Sequence, residues 1–314
     1  MSPLYFCVTK IDRFKEESVT DTSAEYAIKD ELPAKRKADM NTPNAQSKLA
    51  ALKTFIRQRE NLLVITGAGI STASGIGDYR DQAGNWKRAQ PVSHQDFLAS
   101  YAWRQRYWAR SQLGYPSFMA AQPNSAHQAL VRMEQAGQLC GLVTQNVDRL
   151  HQRAGHQNVV DLHGRLDQVI CIDCRALVDR DDIQVWLDAK NPWLGSQSFS
   201  TAPDGDADVL TDFSAVEVPS CDYCGGILKP HVVFFGDSVD RHVVDRIMGQ
   251  VDQADGILVV GTSLMVFSSF RFVRQAHARG VPVAALNQGV TRADELITLK
   301  VNEPCMALDG LVAR

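Results

Sequence analysis

The hydrophobic residues of this chain follow two patterns, short uninterrupted runs and helical stripes. Five apolar runs are typical of strands buried on both faces of a sheet: Leu62–Ile65, Leu139–Thr144, Val159–Leu162, Gly256–Val260 and Val281–Leu286. Helical spacing falls between them, in Ala45–Arg59, Val92–Trp108, Asn124–Met133, Asp240–Gln253 and a stretch with Phe267, Phe270 and Val273. This alternation predicts an α/β fold with a doubly wound parallel sheet.

The first apolar run leads into a glycine-rich turn, Thr66-Gly67-Ala68-Gly69, followed by the small residues Ile70–Gly75. We expect these small residues to begin a helix capped by Ser or Thr. Glycines let the backbone approach a phosphate, and the free N–H groups of a helix start point towards it. The pattern predicts a nucleotide site, and its alternative is a tight strand-to-helix turn without a ligand.

Polar residues follow the other predicted strands, where the carboxyl ends of parallel strands meet at one edge of the sheet. Gln145, Asn146 and Asp148 follow the second strand and suit a ribose, although a turn has the same composition. His163 follows the third strand and is a candidate general base, with a structural histidine as the alternative. The last two runs end in Gly261-Thr262-Ser263 and Asn287-Gln288-Gly289. The polar stretch Asp81–Ala89 predicts a flexible loop over this site, and its role as a lid is a hypothesis.

Two Cys-x-x-Cys pairs, Cys171/Cys174 and Cys221/Cys224, predict one four-thiolate zinc site of the structural kind. A redox pair is the alternative, but neither pair lies at the end of a nucleotide-type strand. The long insert between them, Arg175–Ser220, predicts a small module with an irregular middle. Cys7, Cys140 and Cys305 remain as unpaired thiols, and we expect no catalytic nucleophile among them.

These patterns divide the chain into three parts. Residues 45–165 and 227–314 form a Rossmann-like nucleotide domain, residues 166–226 an inserted zinc module, and residues 1–44 a flexible polar arm. The alternative for the arm is a wrongly chosen start codon. Val232–Phe235, after the second cysteine pair, predicts an extended segment that pairs with a substrate peptide or lies in the core.

Composition narrows the class of protein. The chain is 45% hydrophobic and 22% charged, with a net charge of −3, as expected of a soluble globular protein. A weakly acidic chain argues against nucleic acid or anionic lipid as a partner, and no apolar run approaches the length of a membrane span. The arm lacks the features of a signal or transit peptide, so we expect a cytoplasmic protein.

Taken together, the motifs resemble the sirtuin family over roughly residues 45–310. The resemblance is carried by Gly67–Ser71, Gly75-Ile76, Asp78-Tyr79-Arg80, Thr144–Asp148, His163-Gly164, the four paired cysteines, Lys229-Pro230, Val232–Gly236, Gly261-Thr262-Ser263 and Asn287, in the family's order. Tyr79, Arg104–Arg110 and Ala202–Asp206 resemble the class II branch of that family, close to sirtuin four.

The resemblance implies an NAD-dependent protein-lysine deacylase. In that chemistry the acyl-lysine amide oxygen attacks the ribose carbon that bears nicotinamide, and the acyl group passes to ADP-ribose. The resemblance implies that His163 is the base and that Asn146 acts beside it at the ribose. We expect NAD contacts from Gly67, Ala68, Gly69, Ile70, Ser71, Asp78, Tyr79, Arg80, Gln145, Asn146, Val147, Asp148, Gly261, Thr262, Ser263, Asn287, Gln288, Gly289 and Cys305.

The partners implied are acyl-lysine proteins such as metabolic enzymes, with NAD as co-substrate and one structural zinc ion. Two other functions fit the same residues, a protein mono-ADP-ribosyltransferase and a non-catalytic NAD-sensing adaptor.

Overall fold

A computed structural model describes residues 44–87, 91–198, 200–201, 205–208 and 212–312. The predicted arm lies outside these residues, except for Asn44, which caps the first helix. The helices are α1 (Ala45–Arg57), α2 (His94–Ala99), α3 (Tyr101–Ala120), α4 (Ser125–Gln135), α5 (Leu150–Ala154), α6 (Arg180–Lys190), α7 (Arg241–Gln253) and α8 (Phe267–Ala278). The strands are β1 (Leu62–Thr66), β2 (Leu139–Thr144), β3 (Val159–Asp161), β4 (Gly164–Cys171), β5 (Leu177–Asp179), β6 (Ser200–Thr201), β7 (Ala207–Asp208), β8 (Leu228–Val232), β9 (Gly256–Val260), β10 (Val283–Leu286) and β11 (Leu299–Val301).

The larger sheet has the order β3-β2-β1-β9-β10-β11, and each neighbouring pair is parallel. This is the doubly wound order in which the chain builds one half of the sheet outwards from β1 and the other half outwards from β9. The predicted α/β fold is therefore confirmed. In such sheets ligands bind beyond the carboxyl ends of the strands where the order reverses, which here is between β1 and β9.

Strand β1 is buried completely because helices cover both faces of the sheet. Leu62 and Val64 pack into the cluster that contains residues of α1 and α4, and the alternate residues Leu63 and Ile65 pack into the cluster formed with α7 and α8. A strand that is covered on both faces needs apolar residues at every position, which explains the uninterrupted run in the sequence.

Two features of this sheet differ from the prediction. β11 is a sixth strand, which sequence analysis missed because it is three residues long and has Lys300 in its middle. The region Val92–Trp108 was predicted as one helical segment, but the chain breaks at Ser100 between α2 and α3. Ser100 has an extended backbone, and its hydroxyl accepts a hydrogen bond from the Trp103 N–H at 3.3 Å, which begins the new helix.

A second sheet joins β5, β4 and β8 in antiparallel order, and α6 packs beside it. Sequence analysis missed α6, which lies in the first part of the cysteine insert, ahead of the turn residues from which an irregular middle was predicted. Asp179 caps this helix by accepting from the Asp181 N–H at 2.9 Å, and Ile183 and Leu187 form its buried face. Its central strand β4 begins at Gly164, before the predicted module of residues 166–226, and its outer strand β8 lies after the end of that module.

Among the residues that the structure describes, no helix has both the length and the apolar character needed to cross a membrane.

Candidate active site

A cleft of about 610 Å³ opens at the carboxyl ends of β1, β2, β9 and β10. Most of the predicted site residues line it: Gly67, Ala68, Gly69, Ser71, Asp78, Tyr79, Arg80, Gln145, Asn146, Val147, Asp148, His163, Gly261, Thr262, Ser263, Asn287 and Gln288. Ile70, Gly289 and Cys305 were also predicted to contact the cofactor, and they do not line the cleft in the described part of the chain. Loops far apart in sequence are thus brought to one edge of the sheet.

The glycine turn after β1 packs directly on the turn after β9. The Gly69 N–H donates to the Gly261 carbonyl oxygen at 2.8 Å. Gly261 has a φ of +62°, and a Cβ there would lie 2.4 Å from the Ile70 nitrogen and 2.8 Å from the Cys305 sulfur. Both the backbone conformation and the space therefore require glycine. Cys305 lies behind Gly261, and burial raises the pKa of its thiol to about 12.

The α-helix predicted to follow the glycine turn is absent from residues 68–75, and this prediction is wrong. Two short 3₁₀ turns, Ala68–Ile70 and Thr72–Ser74, take its place. The Asn124 side-chain amide donates to the Ile70 carbonyl oxygen at 2.8 Å and to the Ser74 hydroxyl at 2.9 Å. A helix would use that carbonyl internally, so this contact from the cap of α4 favours the tighter turns.

A buried polar network holds the residues that follow β2. The Asn146 side-chain amide donates to the Gly67 carbonyl oxygen at 3.1 Å and to the Ser71 hydroxyl at 3.0 Å. Ser71 in turn donates to an Asp148 carboxylate oxygen at 2.7 Å. Burial raises the pKa of Asp148, and its hydrogen bonds with Ser71 and the Leu150 N–H oppose that shift. The alternative interpretation of these residues as a turn also holds in part, because the Leu150 N–H donates to the Asp148 side chain two residues earlier, as in an Asx turn.

Gln145 links three elements at the base of the cleft. Its side-chain amide donates to the Thr262 hydroxyl at 2.8 Å, and its side-chain oxygen accepts from the Ser269 hydroxyl at 2.9 Å. The end of β2 is thereby tied to the turn after β9 and to the first turn of α8.

His163 has a defined tautomer. Its Nδ1 lies 3.1 Å from the Gln145 carbonyl oxygen, and because a carbonyl only accepts, Nδ1 carries the proton. Its Nε2 lies 2.8 Å from the Ser268 hydroxyl and accepts from it. Burial lowers the pKa of His163 to about 4, and the bond to Gln145 opposes this shift. At neutral pH the ring is therefore uncharged and presents a basic nitrogen in the cleft.

The predicted loop Asp81–Ala89 forms a compact turn as far as residue 87, and residues 88–89 lie outside the described part. An Asp81 carboxylate oxygen accepts from the Ala83 and Asn85 N–H groups at 2.9 and 2.8 Å. The turn docks on the segment after β10, where the Val290 N–H donates to the Gln82 carbonyl oxygen at 2.9 Å. Its position at the cleft is compatible with the hypothesis of a lid, which stays a prediction.

Sequence analysis missed several residues that line the cleft, among them Trp86, Tyr107, Asp206, Ser268 and Arg271. Ser268 and Arg271 could have been predicted from the sequence, because they fall in the first turns of the helix that follows Gly261-Thr262-Ser263. Asp206 lies in the insert, and no sequence signal connects it to the cleft.

The four predicted zinc ligands come together at the end of β4, whose last residue is Cys171. The sulfur atoms of Cys171, Cys174, Cys221 and Cys224 all lie within 4.8 Å of one another. Cys171 and Cys224, and likewise Cys174 and Cys221, have their sulfurs 3.6 Å apart. Tetrahedral coordination at a Zn–S distance of about 2.3 Å places the sulfurs about 3.8 Å apart, so the cluster fits a zinc ion.

Comparison with known proteins agrees with this geometry. Residues 67–268 match the Sir2 family, and the chain belongs to that family. The chain is 55% identical to a NAD-dependent protein deacetylase of Xanthomonas axonopodis pv. citri, over 81% of this chain and 87% of that protein. It is 54% identical to NAD-dependent protein deacetylase 2 of Bradyrhizobium diazoefficiens, over 84% and 97%.

Solved structures give the same result for the fold. A complex described as Sir2, a p53 peptide and NAD+ superposes with a TM-score of 0.68 at 28% identity, covering 83% of this chain and 95% of that one. A Sir2 homologue bound to ADP-ribose superposes with a TM-score of 0.67 at 30% identity, covering 83% and 94%.

Proposed function

We propose that this chain is an NAD-dependent protein-lysine deacylase that transfers the acyl group to ADP-ribose and releases nicotinamide. One observation carries the proposal: an uncharged histidine with an acceptor nitrogen, His163, lines the same cleft as the glycine turn Gly67–Gly69. A base with a low pKa is unprotonated at neutral pH and can accept a proton from a ribose hydroxyl.

The roles of the other residues follow from their places in the cleft. The backbone of Gly67–Ser71 suits the pyrophosphate, because its glycines allow a phosphate to approach the main chain closely. Asn146 and Asp148, held by Ser71, lie where the nicotinamide ribose would sit. Cleavage of a glycosidic bond develops positive charge on the ribose, so a buried carboxylate such as Asp148 would stabilise that charge electrostatically.

We assign the peptide substrate to the wall opposite the glycine turn. The Val233 N–H already donates to the His163 carbonyl oxygen at 2.8 Å, and Val232–Gly236 all line the cleft. An acyl-lysine peptide that pairs with this segment would bring its acyl group towards His163. The zinc ion would be held by the four cysteines as a structural ion with no open position, and no step of the reaction uses it.

The finer assignments belong to the same proposal. We place the chain in the class II branch near sirtuin four, in the cytoplasm, with acyl-lysine proteins such as metabolic enzymes as substrates. The domain bounds 45–165, 166–226 and 227–314 are likewise proposed. Tyr79 supports the subgroup, and Ala202–Pro203–Asp204 of its insert motif lie outside the described residues.

Nicotinamide release from NAD with a panel of acyl-lysine peptides tests the proposal in zinc-replete protein. We expect release that depends on the acyl group, with acyl-ADP-ribose as the second product. Release of nicotinamide with label from NAD left on protein would identify an ADP-ribosyltransferase instead. NAD binding without nicotinamide release from any peptide would identify an adaptor.

A further inference from the structure

Three arginines surround one exposed phenylalanine at the mouth of the cleft. The guanidinium carbons of Arg271, Arg274 and Arg292 lie 5.1, 5.2 and 5.7 Å from the centre of the Phe267 ring. Phe267 is 43% exposed, and Arg274 and Arg292 are exposed as well. We call these four residues the arginine cluster. It is a local basic surface on a chain whose net charge is −3.

The arginine cluster has no acidic partner among the described residues. None of its guanidinium groups forms an ion pair there, whereas Arg279, at the end of the same helix α8, pairs with Asp252 at 3.1 Å. Three like charges near one ring repel each other, and the ring faces offset only part of that cost. Arg292 donates to the Met265 carbonyl oxygen at 3.0 Å, which does not neutralise its charge. Basic groups without a carboxylate beside them are suited to an anionic partner.

The position of the cluster identifies that partner. His163 lies between the peptide edge and α8, because its carbonyl oxygen accepts from Val233 and its ring accepts from Ser268 in the first turn of α8. Phe267 and Arg271 line the cleft, whereas Arg274 and Arg292 lie outside its lining. The cluster therefore begins in the cleft beside the proposed lysine site and continues outside it, where residues that flank the lysine would lie.

We propose that the arginine cluster selects substrates with acidic side chains next to the acyl-lysine. The proposal rests on the deacylase function. Arg274 and Arg292 lie outside the lining of the cleft, so they suit carboxylates on the flanking residues and not one on the acyl chain inside the cleft. Asp237, which follows the peptide edge Val232–Gly236, is already paired with Lys229 at 3.3 Å, so it does not neutralise the arginine cluster.

Matched acetyl-lysine peptides with Glu, Ala or Lys at the flanking positions test this selection by nicotinamide release. We expect kcat/KM to rise roughly two- to fivefold for each flanking Glu at low salt, through KM and not kcat, and the gain to shrink as salt is added. Arg274→Gln and Arg292→Gln should each reduce the preference for Glu and leave turnover of the Ala peptide unchanged. Arg279→Gln, which removes the same charge from the other end of α8, should keep the preference.

The outcomes separate this proposal from the proposed function. If all peptides are turned over equally and the Arg274 and Arg292 variants match the wild type, the selection is overturned and the deacylase function stands. If no peptide releases nicotinamide, the deacylase function itself fails. A preference for an acidic acyl chain on a neutral peptide, or binding to phosphatidylserine vesicles that Arg274→Gln abolishes without any peptide preference, would also overturn it.

A separate observation concerns Ser268, whose hydroxyl is the group that donates to the basic nitrogen of His163. A hydroxyl that donates one bond keeps its two lone pairs, so a ribose hydroxyl can donate to Ser268 while Ser268 donates to His163. We infer that Ser268 is a positioning residue that holds Nε2 in its acceptor form. This inference also rests on the deacylase function.

Ser268→Ala and Ser268→Thr form a matched pair, since only Thr keeps the hydroxyl. Loss of a donor to the neutral ring favours protonation of the ring, so the acid limb of the pH–rate profile should move to higher pH in Ser268→Ala. We expect a loss of about tenfold in the single-turnover rate of acyl transfer, an unchanged KM for NAD, and restoration by Thr. An unchanged profile and rate in Ser268→Ala, or failure of Thr to restore them, would overturn the inference.

Discussion

The six-stranded parallel sheet and the three-stranded antiparallel sheet hold their polar groups in different ways. At the edge of the parallel sheet, Asn146, Ser71 and Asp148 bond to one another and to the glycine turn, so the cleft is organised by buried hydrogen bonds. In the antiparallel sheet the polar centre is four cysteine sulfurs within 4.8 Å of one another. None of the four cysteines lines the cleft among the described residues, so we expect the chemistry and the support of the fold to be separate. The predictions below test that division.

The largest expected effect is on the stability of the smaller sheet. Cys221→Ser removes one thiolate from a site that a tetrahedral ion needs complete, so we expect zinc content to fall from one ion per chain to near zero. The free energy of unfolding should fall by at least about 4 kcal/mol, as for other lost metal sites.

Metal analysis and urea unfolding measure both effects. Cys140→Ser is the control, because Cys140 is a half-buried thiol outside the cluster, and we expect it to keep its zinc and to lose about 1 kcal/mol or less. A Cys221→Ser protein with a full complement of zinc and wild-type stability would contradict the claim that the cysteine cluster stabilises the fold.

The next effect is on the larger sheet. Gly261→Ala and Gly280→Ala both place a side chain at positive φ, +62° and +74°, which costs about 1–2 kcal/mol. Only at Gly261 would the new Cβ meet other atoms, so that variant should lose roughly a further 1–3 kcal/mol. Its affinity for NAD should also fall, whereas Gly280→Ala should bind NAD as the wild type does. Calorimetric titration and urea unfolding check this pair, and equal losses would mean that the two turns do not depend on close packing.

A smaller effect concerns three buried histidines whose rings meet edge to face. The ring centres of His127 and His151 are 4.8 Å apart, and those of His151 and His156 are 5.4 Å apart. Burial lowers the pKa of all three histidines, to about 4 for His127. The Glu134 carboxylate lies beside His156 and opposes the shift there. These histidines favour the folded state only while they are uncharged.

The unfolded chain therefore binds protons that the folded chain does not, and stability falls as pH drops from about 6.5 towards 4. For His127 alone this loss is about 3 kcal/mol. His127→Gln keeps an acceptor for the Asn124 N–H in the cap of α4 and cannot titrate, so it should lose about 3 kcal/mol less than the wild type between pH 7 and pH 4. Urea unfolding across that range measures the difference, and parallel curves would contradict it.

The sequence was most informative where one local cause decides the structure. The buried strands of the parallel sheet follow from uninterrupted apolar runs, and the cysteine cluster follows from two Cys-x-x-Cys pairs. It was least informative where a distant partner decides. The 3₁₀ turns depend on Asn124, and the position of Asp206 in the cleft depends on the path of the whole insert.

α6 is a different kind of error, because its signal was present. Asp179, Ile183 and Leu187 have the cap and spacing of a helix, but the turn residues that follow it, from Asn191 onwards, dominated the interpretation of the insert. Ser268 was missed because Phe267 and Phe270 marked that helix as core, and only the fold brings its hydroxyl to His163.

The rate of acyl transfer in His163→Ala, measured together with NAD affinity, tests the division between chemistry and support most directly. His231→Ala is the matched control, since His231 lies on β8 next to the peptide edge, bonds to Gln168 and does not line the cleft in the described residues. We predict that His163→Ala loses roughly 10²- to 10⁴-fold in rate while it binds NAD within about threefold of the wild type, and that His231→Ala keeps both. A His163→Ala protein that transfers the acyl group at the wild-type rate would contradict the account.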